Sequence, residues 1–307
     1  MTMASDRPFR IKLPATSANL GPAFDAAALA LDLHMTVEAR PAAEFHVSAR
    51  GRDASICSNP KDHMILTTYS EVLSREGRQV QPLSLKITNQ IPVGKGCGSS
   101  ASARLAGIAL AVHYGRLGWK APRIIAEATE REHHPDNAAA CWMGGLAIAR
   151  LSHLGDTQAV RIAPKGKWPL LLAVPEDPLS TEQARNVLPM RYARPAAVAN
   201  LQNSLLLVAA LSQNRRDLLP HVLQDQMHQP YRAALCPLLP ALEELRGTAG
   251  ILGVVLSGAG PSVLLFLDPE VSAGRIRTRV QSHLEKHSLA AELIPTTISR
   301  RGAGFGV

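Results

Sequence analysis

Residues 91–100 read IPVGKGCGSS, with Gly94, Gly96 and Gly98 at every second position and Ser99 and Ser100 closing the run. Before it, Leu83, Leu85 and Ile87 alternate with polar residues as in a half-buried strand; after it, Leu105, Ile108, Ala109 and Val112 recur at helical spacing. A glycine loop between a strand and a helix lets backbone N–H groups approach a ligand, and the helix N-terminus adds unpaired donors and a partial positive charge. Ser99 and Ser100, at or near the N-cap, can cap the helix or offer hydroxyls to phosphate or Mg²⁺. Two common nucleotide loops are excluded. Lys95 lies among the glycines instead of after them, unlike G-x-x-x-x-G-K-[ST], and the third glycine comes one residue too early for G-x-G-x-x-G. By itself the stretch suits either a phosphate cradle or a serine-capped turn.

Outward from the loop, Phe9, Ile11 and Leu13 predict a strand that runs into a turn at PATSANLGP (14–22), and Leu29 to Val37 a second, longer antiparallel strand. Helical spacing covers Met64 to Leu73, and Pro122 opens a helix that ends near Arg131. The end of EHHPDNAAACWMGGLAIAR (132–150) reads as a strand after Gly144 and Gly145. Residues 155–168 are polar and weakly patterned, which predicts a domain boundary. Beyond it come a capping box at Ser180, a long apolar helix through about Leu211, two buried strands in ILGVVLSGAGPSVLLFL (251–267) and an amphipathic helix over 269–287. Strand pairs this close leave no room for βαβ crossovers, so the class is α+β with antiparallel sheets in two domains, 1–160 and 161–307.

The chain has 307 residues, 46% of them hydrophobic, enough for a substantial core. Its longest apolar run, around Leu205 to Leu211, falls short of the roughly 20 residues of a membrane span, and MTMASDRPFR lacks a signal-peptide apolar region. Cys57, Cys97, Cys141 and Cys236 are scattered, which predicts reduced thiols and neither a zinc site nor a disulfide framework. These features predict a soluble cytoplasmic protein without a membrane partner. The net charge of +8 suits an anionic ligand, but the cations are dispersed and aromatics make up only 4%, which argues against nucleic acid.

Four stretches together resemble the GHMP kinases: PATSANLGPAFDAAALAL (14–31), PVGKGCGSSASA (92–103), HPDNAAACWMGG (134–145) and LSGAGPS (256–262). LSTEQARNVLP (179–189) and HQPYR (228–232) are similar to the homoserine kinases among them. The resemblance spans nearly the whole chain in the family's order. It implies an N-terminal domain of the ribosomal protein S5 domain 2-like type, a ferredoxin-like C-terminal domain, and ATP- and Mg²⁺-dependent phosphorylation of L-homoserine between them; a homodimer is common in the family. By this resemblance the triphosphate lies on Pro92, Val93, Gly94, Lys95, Gly96, Cys97, Gly98, Ser99, Ser100, Ala101 and Ser102, and adenine near Asn59. Gly96, Gly98, Ser99 and Ser100 carry the chemistry, while Lys95 and Cys97 read as tolerant positions.

The same resemblance assigns the substrate carboxylate to Arg185 and Arg232 with Thr181 beside them, the ammonium to Asp25, and the hydroxyl and remaining polar atoms to Asn19, His134 and Asn137. A guanidinium fork matches a carboxylate. Ser100 or Ser99 and a glutamate are expected on the metal, with Ser100 and Glu130 chosen, the latter over its neighbours Glu127 and Glu132. Asn137 stands where some superfamily members have an aspartate base; an amide cannot take a proton, so the catalytic set is Glu130, Ser100 and Asn137 acting by charge and position. The chain departs from the family at Ala23 and Ala28, where glycine is usual, at Cys97 in place of leucine and at His133 in place of glycine. The alanines predict ordinary backbone angles, and adjacent residues diverge, so His134 is expected to face the substrate and His133 the solvent.

Overall fold

The computed structural model describes residues 8–61, 63–153 and 155–305. Its first sheet has six strands: β1 (Phe9–Asn19), β2 (Ala23–Pro41), β3 (His46–Gly51), β4 (Leu83–Asn89), β5 (Leu146–Leu151) and β6 (Thr157–Ile162). They run in the order β3-β4-β2-β5-β6, with β1 paired to β2 off that path. The stretch expected to be a turn after Leu13 is strand as far as Asn19. Pro14 is tolerated there because the β1–β2 register shifts between Pro14 and Ala15, where the ladder is already interrupted. β6 occupies the polar segment read as a boundary; its Gln158, Val160 and Arg161 are at least partly exposed, so it carries little apolar alternation to find.

After the short α1 (Ala54–Cys57), four helices build the first unit: α2 (Met64–Arg75), α3 (Ser99–Tyr114), α4 (Ala121–Glu132) and α5 (Asp136–Met143). α3 packs against α2, α4 and β1, and α5 lies on β1, β2 and β5. Leu105, Ile108, Ala109, Leu110 and Ala111 of α3 are all buried, so the helix that begins at the glycine loop runs through the middle of the layer.

The second sheet contains β7 (Pro169–Val174), β8 (Ile251–Leu256), β9 (Val263–Leu267) and β10 (Glu292–Thr297), antiparallel in the order β10-β7-β9-β8. That order is the split β-α-β arrangement of a ferredoxin-like unit. Leu171 and Ala173 face a cluster with α10 (Leu238–Glu243) and α11 (Ala273–Lys286), whereas Leu170, Leu172 and Val174 belong to the core shared with the first unit. Between β7 and β8 run α6 (Thr181–Asn186), α7 (Arg194–Gln213), α8 (Leu219–Val222) and α9 (Gln229–Arg232). The capping box at Ser180 is present, but the long helix expected after it is two: α6 ends at Asn186, Pro189 lies in the break, and α7 restarts with proline in its first turn. By length and composition α7 would suffice to cross a membrane; here Leu207, Ala210 and Leu211 are buried while Leu201 and Leu205 are exposed. After β10 the chain returns to the first unit, where Ser299 hydrogen-bonds Ala30 and Gly145 through the backbone.

Candidate active site

The glycine loop is held between both units. Gly94, Gly96 and Gly98 have φ of +70°, +76° and +68°, the region glycine favours. A Cβ on Gly96 would lie 2.3 Å from the Ser257 carbonyl oxygen, and one on Gly98 would lie 1.8 Å from Thr16 Oγ1, so neither position has room for a side chain. Gly98 is the N-cap of α3, and Ser99 and Ser100 are its first two residues, one step further in than expected. Ser99 Oγ accepts from the Gly94 N–H at 3.3 Å, and Ser100 Oγ donates to Glu132 Oε1 at 2.6 Å. The serines therefore face the loop and the cleft instead of capping the helix.

Two cavities meet at this loop. A polar one of about 120 Å³ is lined by Asn19, Asp25, His134, Asn137, Thr181, Arg185 and Arg232, together with Gly94, Gly96, Gly98, Ser99 and Ser100. All seven residues expected to contact the substrate are thus brought together from β1, β2, α5, α6, α9 and the segment before α5. An apolar cavity of about 400 Å³ lies on the other side, lined by Asn59, Val93, Met35, Ile56, Met64 and Ile87 among others, and shares Gly94, Ser99 and Ser100. Pro92, Lys95, Cys97, Ala101 and Ser102 line neither. Lys95 Nζ instead donates to the carbonyls of Pro175, at 3.2 Å, and Glu176. Ser102 Oγ donates to Pro14 in the interior. Cys97 is fully enclosed, burial pushes its thiol up to about 12, and it is a packed position rather than a tolerant one.

Glu130, the glutamate expected on the metal, does not reach the cleft. Glu130 is exposed and lies 3.6 Å from Arg75, outside the cleft. Glu127 is completely buried among Arg75, Arg123 and Arg131 and serves packing. Glu132 lines the polar cavity, accepts from Ser100 and is paired with Arg104 Nε at 2.6 Å. It is the last residue of α4, where His133 leaves the helix at φ +65°; this left-handed angle accounts for the family's glycine there. His133 is exposed and His134 turns into the cleft, while Ala23 and Ala28 have no positive φ.

His134 Nδ1 lies 2.9 Å from Asp136 Oδ1. Burial alone would depress this imidazole, but the Asp136 hydrogen bond and the charges of Asp136, Glu132 and Asp25 outweigh it and raise its pKa above the ordinary value. Asp136 Oδ1 also accepts from the backbone and side-chain N–H groups of Asn137, and Asn137 Oδ1 accepts from Thr16 Oγ1 at 2.5 Å. Asn19 Nδ2 donates to Gly258, and its Oδ1 accepts from the Asp25 N–H, which ties the β1–β2 turn to the second unit.

Arg185 makes a two-pronged pair with Asp25, at 3.0 and 2.9 Å. Arg232 is almost wholly buried; its Nε donates to Ala184 and its Nη1 to Gly258 and to His228 Nδ1, at 3.1 Å. Burial, and then the charge of Arg185, lower Arg232 from its ordinary value. Because Arg232 can only donate, His228 Nδ1 is the acceptor, and its Nε2–H donates to Gly21 at 2.9 Å. The sequence offers no separate signal for Thr16 or Arg104; Asp136 stands out there only as the carboxylate beside Asn137, and not as the base chosen. His228 lay in the HQPYR match, but only its arginine was singled out.

The family model for the GHMP kinases N terminal domain matches residues 63–145, and that for GHMP kinases C terminal matches 202–286. A homoserine kinase of Solibacter usitatus is 40% identical over 299 residues, covering 97% of this chain and 97% of the relative. One of Deinococcus radiodurans is 34% identical and covers 96% of each. Among solved structures, a homoserine kinase from Cytophaga hutchinsonii superposes with a TM-score of 0.79 over 98% of both chains at 24% identity, a likeness of fold.

Proposed function

The chain belongs to the homoserine kinases of the GHMP kinase superfamily, and from that premise we propose that it transfers the γ-phosphoryl group of ATP to the side-chain hydroxyl of L-homoserine, giving ADP and O-phospho-L-homoserine for threonine synthesis. The observation that carries this reading is the meeting of the two cavities at Gly94, Ser99 and Ser100. An apolar cavity suits a purine base and a small, charged one suits an amino acid, so the phosphates between them fall on the N-terminus of α3.

In this assignment Arg185 and Arg232 take the substrate carboxylate, Thr181 closes that end, and Asp25 takes the ammonium. Asp25 and Arg185 neutralise each other in the free cleft, and a zwitterion offers each of them a new partner of opposite charge. His134 and Asn137 orient the hydroxyl. Neither is a base: Asn137 is an amide, the carboxylates around His134 favour its protonated form, and Asp136 is already engaged by three donors. The hydroxyl proton therefore leaves late, to a phosphate oxygen or solvent, and rate comes from alignment and charge neutralisation.

Ser100 Oγ and the Glu132 carboxylate present hard oxygen donors 2.6 Å apart at the helix N-terminus. That donor set fits Mg²⁺, and these two residues would hold it. When bound, the ion neutralises charge on the transferring phosphoryl group. Arg104 fixes the direction of the Glu132 carboxylate.

The four free cysteines are consistent with a reducing, cytoplasmic setting. The exposed Val198, Leu201, Leu205 and Leu206 of α7 are the surface a second copy would cover in the homodimer that is part of this proposal. The test of function is ADP release with Mg²⁺-ATP over a panel of small alcohols, including homoserine, mevalonate and sugars. Stimulation by homoserine above all others is expected; stimulation by another alcohol and none by homoserine overturns the reading.

A further inference from the structure

Away from the cleft, α10 and α11 lie together on the face of the second sheet turned from the first unit, and three side chains meet where these helices end. Glu244 is the residue after α10, His283 lies in the last turn of α11, and His287 follows that helix. Glu244 Oε2 stands 3.6 Å from His283 Nε2 and 3.3 Å from His287 Nε2. One ligating atom from each residue lies within 4.8 Å of the other two. We propose that Glu244, His283 and His287 bind a borderline divalent transition metal, with Zn²⁺ as the best fit, and that the ion fastens the ends of the two helices together.

Spacing, donor type and local field agree on this. Ligands about 2.0–2.1 Å from a tetrahedral zinc are roughly 3.3–3.4 Å from one another, close to the two carboxylate–imidazole separations here. His283 and His287 are four residues apart across the end of α11, a spacing that keeps both imidazoles on one side of the chain. Imidazole nitrogen excludes the oxygen-seeking Mg²⁺ and Ca²⁺ and favours Zn²⁺, Co²⁺ or Ni²⁺. The carbonyl ends of two helices converge on the site and carry a partial negative charge that a cation relieves. His283 Nε2 also lies 2.8 Å from the Ala241 carbonyl. On metal binding the proton on Nε2 moves to Nδ1, the Ala241 hydrogen bond is given up and the freed lone pair turns to the ion, with solvent completing the coordination. Glu244 and His287 are exposed, which leaves the ion an entry path.

The test uses untagged, chelator-treated full-length protein in millimolar Mg²⁺, with Zn²⁺ followed by equilibrium dialysis and Co²⁺ by its visible ligand-field bands. One zinc per chain is expected, with Co²⁺ bands of tetrahedral intensity. His283→Ala/His287→Ala and, separately, Glu244→Gln should weaken binding by at least about tenfold, the least that loss of even an outer-shell partner costs, and leave homoserine-dependent ADP release unchanged. Absence of bound zinc at about 0.1 mM free ion, or undiminished binding in the double variant, overturns the proposal.

Discussion

Replacing Arg185 with alanine separates substrate recognition from folding. Arg185 and Asp25 are each about one-third exposed, with side-chain exposures of 37% and 33%, so solvent screening holds their mutual contribution to stability to about 0–1 kcal/mol. The variant should fold, with a melting temperature close to that of the parent. Binding is another matter: a hydrogen bond to a charged group contributes about 1.5–3 kcal/mol, which at about 1.36 kcal/mol per decade is roughly a 12- to 150-fold rise in KM for homoserine. The KM for ATP should change less than about threefold, because Arg185 lines the polar cavity and not the apolar one. Arg185→Lys should fall between, since an ammonium keeps the charge and loses the fork. The assay is coupled ADP release with each substrate varied at saturating levels of the other. A rise shared equally by both KM values, or an unchanged KM for homoserine, refutes the assignment of Arg185 to the substrate carboxylate.

Glu132→Gln should lower kcat by about a hundredfold or more through loss of transition-state charge stabilisation, whereas Glu130→Gln, exposed beside Arg75, should stay within about twofold; steady-state rates across a Mg²⁺ titration compare them. Gly98→Ala and Gly118→Ala share a φ of +68°, but only Gly98 has a neighbour within 4 Å. Both should lose about 1–2 kcal/mol to backbone strain, and Gly98→Ala considerably more, visible in denaturant unfolding and in ATP binding. Burial lowers His228 to about 4, below its unfolded value, so the unfolded chain binds the extra proton between about pH 6.5 and 4. Stability should therefore fall as pH drops through that window, by up to about 1.4 kcal/mol per pH unit from this group, and His228→Gln should flatten the acid limb of the melting profile while raising KM for homoserine through the loosened Arg232.

The elements the sequence reveals best are those with one apolar face. α2, α4 and α11, the β8–β9 pair and the Ser180 cap follow from periodicity and capping chemistry. β3, β6 and β10 are largely exposed strands that carry little apolar signal. α5 escapes because its first turn, Asp136 and Asn137, faces the cleft while Ala138, Ala139, Ala140, Cys141 and Trp142 are all buried, so no one-sided helical stripe appears. At the site, the seven residues assigned to the substrate converge as a group, whereas part of the loop assigned to the triphosphate turns elsewhere and the glutamates could not be ranked from spacing. Glu127, Glu130 and Glu132 all lie on α4, where each residue is turned about 100° from the one before, and which of them meets the cleft depends on how the helix packs. His228 is invisible for a similar reason: its importance lies in bridging Gly21 and Arg232, residues 207 and 4 positions away.

The most direct test of the central claim is phosphorus NMR of a reaction containing the protein, Mg²⁺-ATP and L-homoserine. The account predicts loss of the γ-phosphate resonance with matching growth of ADP and a phosphomonoester coupled to the side-chain methylene of homoserine. ATP left intact, or inorganic phosphate formed at the same rate with and without homoserine, would contradict it.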